Sequence, residues 1–185
     1  MKINFGVFKG KKLIIGKNLK MRPTQSMAKS IIFNLLEITS NSMVLDLFSG
    51  TGALGFESAS LGAKVVFWID NNKDSTKAIK ENIEHLKLDK NNYQVFNTDF
   101  RRALKKLPFK PTIIFLDPPF IATKYYEEAL ILILETKALA PNGIIILEKR
   151  KNVTIESLES YKIIVRRIMG EKEILFLKKN MNNDD

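Results

Sequence analysis

Two short segments contain residues whose types and spacing suit group transfer. The run Asp46-Leu47-Phe48-Ser49-Gly50-Thr51-Gly52-Ala53-Leu54-Gly55 sets a carboxylate four residues ahead of three glycines in the pattern G-x-G-x-x-G. Glycines at that spacing let a backbone turn tightly after a strand and approach a ligand closely, and Asp70, 20 residues after Gly50, is placed to hold ribose hydroxyls. Such a loop accepts a dinucleotide or any other adenosine-containing cofactor. Asp46 shifts the balance, because a carboxylate there repels a pyrophosphate but anchors the cationic amino group of a methionine moiety.

The second segment is Asp117-Pro118-Pro119-Phe120. Consecutive prolines remove two amide donors and stiffen the chain, which leaves the Asp117 carboxylate and the Pro118 carbonyl as fixed acceptors. Two acceptors this close suit an exocyclic NH2 group. They would take both hydrogens and aim the nitrogen lone pair at an electrophilic methyl group held by the first loop. Phe120 supplies a face on which an extruded base can stack. Between the two segments, Asp99 could accept from an adenine amine while Phe100 packs on the ring; it is equally suited to N-cap the helix that follows.

The elements needed to position these residues are legible in the apolar pattern. Strand-like runs are expected at 43–48, 64–69, 93–96, 112–116 and 143–147, with helices near 53–61, 72–86, 100–107 and 125–134 between them. Continuous apolar runs such as Ile113-Ile114-Phe115-Leu116 belong in a sheet covered on both faces, so the expectation is an α/β fold with a mostly parallel sheet. Segments 161–167 and 173–178 are joined by too few residues for a crossover helix and should form a C-terminal antiparallel hairpin. Before the sheet, 3–8 and 13–15 flank Lys9-Gly10-Lys11-Lys12 as a small β-hairpin. Thr24 can N-cap a helix whose apolar stripe is Met27, Ile31, Ile32, Leu35 and Leu36. The expected organisation is a basic extension (1–22), a catalytic domain (23–179) and a polar tail (180–185).

Composition narrows the function classes. Among 185 residues there is no Cys and one His. Disulfides, thiolate metal sites, multi-histidine zinc sites and Cys nucleophiles are excluded, and with the last goes methylation at a pyrimidine C5 through a Cys adduct. No leader or membrane span is apparent, so a cytoplasmic protein is expected. The formal charge is +10. Lys2, Lys9, Lys11, Lys12, Lys17, Lys20, Arg22 and Lys29 put +8 of it in residues 1–36, which contain no acid. A basic block beside a near-neutral body is the footprint expected for a phosphate backbone. Arg101 and Arg102, with Lys105 and Lys106, could extend that path, as could Lys149-Arg150-Lys151; a solvated face explains either group as well. His85 and Trp68 are read as an ordinary surface residue and a core residue.

The pairing of Asp46–Gly55 with Asp117–Phe120 on alternating strands and helices resembles the class I S-adenosylmethionine-dependent methyltransferases, Rossmann-like proteins with a seven-stranded sheet. Further segments make the chain similar to the RsmD family over residues 2–179. These are Phe8-Lys9-Gly10-Lys11-Lys12-Leu13, Arg22-Pro23-Thr24, Ile32-Phe33-Asn34-Leu35-Leu36 and Gly170-Glu171. The resemblance implies methylation of a guanine N2 amine in bacterial small-subunit (16S) ribosomal RNA, free or in the assembling subunit, by a monomer. It implies S-adenosyl-L-methionine contacts from Asp46, Phe48, Gly50, Gly52, Asp70, Asp99 and Phe100, with Arg22 and Thr24 beside the cofactor and target base. Asp117, Pro118, Pro119 and Phe120 would orient the amine, and Lys9, Lys11, Lys12, Arg22, Arg101 and Arg102 would meet RNA; no metal takes part. One departure is that the family carries further arginines after Arg-Pro-Thr, where this chain has only Lys29. The competing readings are a DNA adenine N6 methyltransferase, a nicotinamide-dependent oxidoreductase and an inactive RNA-binding module.

Overall fold

Strands that are apolar at every position must be covered on both faces, and that requirement organises the computed structural model, which describes residues 1–16, 23–119 and 122–180, with only the backbone of 23–26. Five parallel strands, β1 (Met43–Asp46), β2 (Val65–Asp70), β3 (Tyr93–Asn97), β4 (Ile113–Leu116) and β5 (Ile144–Arg150), are joined by a hairpin of β6 (Tyr161–Met169) and β7 (Lys172–Lys179). The sheet order is β3-β2-β1-β4-β5-β7-β6, with β7 antiparallel to both of its neighbours. This is the Rossmann-like, mostly parallel seven-stranded sheet with a C-terminal hairpin expected from the sequence. The order reverses direction between β1 and β4, so a crevice opens there beyond the carboxyl ends of the strands.

Alternate residues of each strand enter opposite cores. Val44, Val66, Trp68, Ile113, Phe115 and Ile146 face a cluster closed by α1 (Pro23–Leu35), α2 (Ala53–Ser60) and α3 (Lys73–His85). Leu45, Phe67, Ile69, Ile114, Leu116 and Leu147 face the other, closed by α4 (Phe100–Leu104) and α5 (Lys124–Glu135). The period of two therefore carries Asp46, Asp70, Asp117 and Glu148 to the α1–α2 side, because each follows a residue of that cluster by two positions. Local chemistry sets the helix starts: Pro23 opens α1, where its missing N–H costs nothing, and Asn72 Oδ1 accepts from Asp74 N (2.8 Å) at the head of α3.

Two expectations change in detail. The N-terminal hairpin is reduced to one antiparallel bridge, Lys2 to Lys12, and residues 5–10 form a turn. Its two arms are held by Ile3 N to the Lys11 carbonyl (3.0 Å), Gly10 N to the Ile3 carbonyl (2.8 Å) and Leu13 N to the Met1 carbonyl (2.9 Å). The segment also bonds α2: Asn4 N and Phe5 N donate to the Glu57 carboxylate (2.7 and 3.0 Å), and Val7 N donates to the Ser60 carbonyl (2.9 Å). Gly6 makes that approach possible, since a Cβ there would sit 1.9 Å from the Ser60 oxygen. The buried face of α1 is also rotated. Ala28, Lys29, Ile32, Phe33 and Leu36 point inward, while Met27 and Leu35 are exposed. The sequence pattern missed this because it counted Lys29 as polar surface, and Lys29 is buried with its ammonium on Glu57 (2.6 Å).

Candidate active site

The carboxyl end of β1 and the turn after it form one wall of the site. Asp46 is 3% exposed, and its Oδ2 accepts from Gly55 N at 3.1 Å. Burial pushes its pKa up to about 7, the negative charge of Asp70 pushes the same way, and the Gly55 bond opposes both. A carboxyl group held in this way beside a second carboxylate suits a cationic ligand. The turn itself is braced from β2: Ser49 N donates to the Ile69 carbonyl (3.0 Å) and Gly50 N to Asp70 Oδ2 (2.7 Å).

The three glycines serve three different needs. Gly50 adopts φ 52°, and a Cβ built on it would meet no atom within 4 Å, so it keeps the turn open toward the crevice. Gly52 adopts φ 76° against Phe56 and Ile79. Gly55 is a packing glycine, because a Cβ there would lie 2.1 Å from Trp68 Nε1. Trp68, fully buried, donates that N–H to the Gly52 carbonyl (3.0 Å) and so anchors the turn from beneath.

Asp99 N-caps α4 through its bond from Arg101 N (2.9 Å), and its other oxygen pairs with Arg101 Nη1 (2.8 Å). Phe100 is buried, with Phe48 at 5.0 Å, Tyr125 at 5.4 Å and the Arg101 guanidinium 4.4 Å over its ring. Phe48 and Tyr125 in turn stack at 6.1 Å and 11°. This aromatic group, rather than one open ring, forms the apolar end of the site.

Asp117, Pro118 and Pro119 leave β4 next to that wall. A single cavity of about 890 Å³ runs along the strand ends and is bordered by Asp46, Gly50, Asp70, Asp99, Asp117 and Pro118. The two motifs, 71 residues apart in the chain, thus open on the same space. Met1, Lys2 and Asn4 of the docked N-terminal segment border it from the other side. Phe120 and Arg22 lie outside the described residues, as does the side chain of Thr24.

The cationic residues separate into two groups. Lys9, Lys11, Lys12 and Arg102 are exposed. Arg101 is neutralised by Asp99 and Glu128, so it clamps α4 to α5 and covers Phe100. Lys29 and Lys149 are buried on Glu57 and Glu173 and present no charge to a partner. His85 is exposed, in keeping with its reading as a surface residue.

Sequence reasoning missed Glu148 and Lys172, which also border the cavity, and weighed Arg150, a third bordering residue, only as part of a basic run that could meet RNA. The available signal was the abrupt change from Ile144-Ile145-Ile146-Leu147 to Glu148-Lys149-Arg150 at the crevice end of a buried strand. Among the described residues, no group of carboxylate and imidazole side chains could hold a metal ion, and no helix is long and apolar enough to cross a membrane.

The comparisons agree with this geometry. A family model described as Conserved hypothetical protein 95 matches residues 1–178. Ribosomal RNA small subunit methyltransferase D of Haemophilus influenzae is 31% identical over 173 residues, covering 92% of this chain and 89% of that protein. The solved structure of yhhF from Escherichia coli superposes with a TM-score of 0.85 at 24% identity, covering 98% of this chain and 99% of the other. A methyltransferase-like chain solved in complex with SAH superposes with a TM-score of 0.67 at 20% identity, over 92% of this chain and 52% of that one.

Proposed function

The chain belongs to the RsmD family, and from that premise we propose that it transfers a methyl group from S-adenosyl-L-methionine to the N2 amine of one guanine in small-subunit ribosomal RNA. The observation that carries the reading is the cavity shared by Asp46 and by Asp117 with Pro118: a cation-seeking carboxylate at one end and paired acceptors for an amine at the other. A nicotinamide dinucleotide fits poorly, since its pyrophosphate would lie on the turn beside two carboxylates, Asp46 and Asp70.

The residues present fit S-adenosylmethionine. The open floor over Gly50 leaves room for it, and Asp46, buried with its pKa raised to about 7, is a carboxyl group whose charged form a cation would favour. When bound, the cofactor supplies an electrophilic methyl group on a positively charged sulfur. Asp46 would hold its ammonium group, Asp70 its ribose hydroxyls and Asp99 its adenine amine; each carboxylate has lone pairs beyond those its protein bonds use. The Phe48–Phe100–Tyr125 group excludes water from that end.

Asp117 and the Pro118 carbonyl act on the other reactant. By accepting both hydrogens of the guanine amine they draw its lone pair out of conjugation with the ring and direct it into the cavity. The N–C bond would form as the bond from the cofactor's methyl to sulfur breaks, with S-adenosylhomocysteine as the leaving group. The nitrogen would become cationic and one of its N–H protons acidic; Asp117 would take that proton and release it to water. No covalent attachment to the protein is needed. Lys9, Lys11 and Lys12, exposed on the extension of residues 1–22, would hold the RNA backbone while the domain of residues 23–179 carries out the transfer.

The test uses tritiated methyl cofactor with small-subunit RNA, assembled subunits and DNA, followed by nuclease digestion. Label in N2-methylguanosine, abolished by Asp117→Ala, is the expected result. Label confined to DNA adenine, or tight NAD binding without S-adenosylhomocysteine binding, overturns it.

A further inference from the structure

Glu148 is the residue at the carboxyl end of the sheet that the transfer chemistry leaves without a task. It is 7% exposed, yet it borders the same cavity as Asp117 and Pro118. The register of the sheet explains the proximity. Leu116 and Leu147 are partners across β4 and β5, and Asp117 and Glu148 are the residues that follow them. The two carboxylates therefore leave adjacent strands side by side, about 5 Å apart at the backbone, and on the same face. Burial, followed by the negative charges of Asp117 and Glu148, raises the pKa of the Tyr126 hydroxyl well above the usual phenol range, so both carboxylates act on one buried group.

An ion pair fixes the second carboxylate. Lys172 Nζ bonds Glu148 Oε1, and both side chains are largely buried. Lys172 is supplied by the antiparallel strand β7, where it is the partner of Arg150. The far end of the cavity thus presents acceptors from Asp117, Pro118 and Glu148 and donors from Arg150 and Lys172.

Resting on the reading above, we propose that Glu148, oriented by Lys172, selects guanine by accepting the N1–H beside the amine that Asp117 and Pro118 hold. Guanine presents N1–H and the N2 amine as neighbouring donors on one edge, and two carboxylates from adjacent strands match that pair. Adenine presents a lone pair at N1, which a carboxylate repels. Asp117 and Pro118 can hold any exocyclic amine, so the choice of base needs a further group, and Glu148 is placed to supply it. A site built to accept a hydrogen rejects a base without that hydrogen, because the carboxylate oxygen not held by Lys172 would then face a lone pair in place of a donor.

The experiment compares wild type with Glu148→Gln on RNA in which the target guanine, first located by its label, is kept or replaced by 2-aminopurine. That analogue retains the N2 amine and has a lone pair at N1. Wild type should favour guanine by about 30-fold or more in kcat/KM, the effect of one lost bond to a charged group. Glu148→Gln, whose amide can donate to N1, should narrow the preference to within about 3-fold. S-adenosylhomocysteine affinity, which a merely structural role for the ion pair would disturb, should stay the same. An undiminished preference in the variant overturns the assignment. If Glu148→Gln fails to bind S-adenosylhomocysteine, Glu148→Asp replaces it: guanine kcat/KM should fall about 10-fold with that affinity intact, and an unchanged value again overturns the assignment. Wild type that labels no guanine amine refutes the methyltransferase reading itself, an outcome distinct from guanine methylation that ignores Glu148.

Discussion

Lys29 Nζ lies 2.6 Å from Glu57 Oε1, and both side chains are at most 5% exposed. The same carboxylate receives Asn4 N and Phe5 N, and the same ammonium donates to the Lys2 carbonyl (2.9 Å). One ion pair thus ties α1, α2 and the N-terminal segment together, and it does so where Lys2, Asn4 and Lys29 border the cavity.

Breaking that pair from one side leaves a buried charge. Glu57→Gln or Lys29→Met alone should lower stability by about 3–5 kcal/mol, and replacing both should restore part of the loss. Denaturant titration measures it. Single variants should also be cleaved sooner near residue 10 under limited proteolysis, and equal cleavage would show that the segment docks without the pair.

Asp46 makes stability depend on pH. Its folded pKa of about 7 exceeds the ordinary 3.8, so the folded chain holds that proton more tightly than the unfolded chain. The contribution is full below about pH 4 and is lost as pH rises through 7, by a few kcal/mol at most. Ligand-free wild type should therefore melt lower at pH 8 than at pH 5.5 by a larger margin than Asp46→Asn does. Cofactor binding should strengthen over the same window, because ionised Asp46 is the form that meets an ammonium. Parallel pH profiles for the two proteins would remove Asp46 as the cause.

Gly55→Ala should be severe for a residue that touches no ligand. The added methyl would lie 2.1 Å from the Trp68 indole, and a close-packed interior absorbs such overlap only by moving α2 or the ring. A loss of about 1–3 kcal/mol is expected, together with weaker cofactor binding as the Trp68 bond to Gly52 is displaced. Thermal denaturation and calorimetry check the two effects.

Tyr126 points the other way. Its hydroxyl is buried with no hydrogen-bond partner among the described residues. Tyr126→Phe should be neutral or stabilising by about 1 kcal/mol, since a buried polar group without a partner is costly to retain. A loss above 1 kcal/mol would mean that the hydroxyl is satisfied by water.

Lys9, Lys11 and Lys12 can be tested by salt dependence. Replacing all three by Gln should weaken RNA binding and reduce the slope of log affinity against log salt by roughly 2, leaving S-adenosylhomocysteine affinity unchanged. Filter binding across a salt series decides it, and an unaltered slope removes the turn from the RNA interface.

Much of this molecule was legible in the order of its residues. Continuous apolar runs located β1, β2, β4 and β5 within a few residues, because burial on both faces favours apolar side chains along most of a strand, whereas the half-exposed edge strand β3 carries Gln94 among its apolar residues. The Gly50 turn and the Asp117-Pro118-Pro119 segment were readable because backbone geometry and missing amides are properties of residue types. Pairings across long separations were not readable. Lys29 looks like surface charge until α2 brings Glu57 beneath it, and Arg101 looks free until α5 brings Glu128 beside it. Glu148 looks like the polar end of a strand until the β4–β5 register sets it next to Asp117. Sequence alone determined the strands and the two motif segments that end on the cavity, since hydrophobic period and backbone restriction are local. The tertiary structure decided which charges face a partner and which hold the protein together, since desolvation and Coulomb attraction depend on distances set only when the sheet closes.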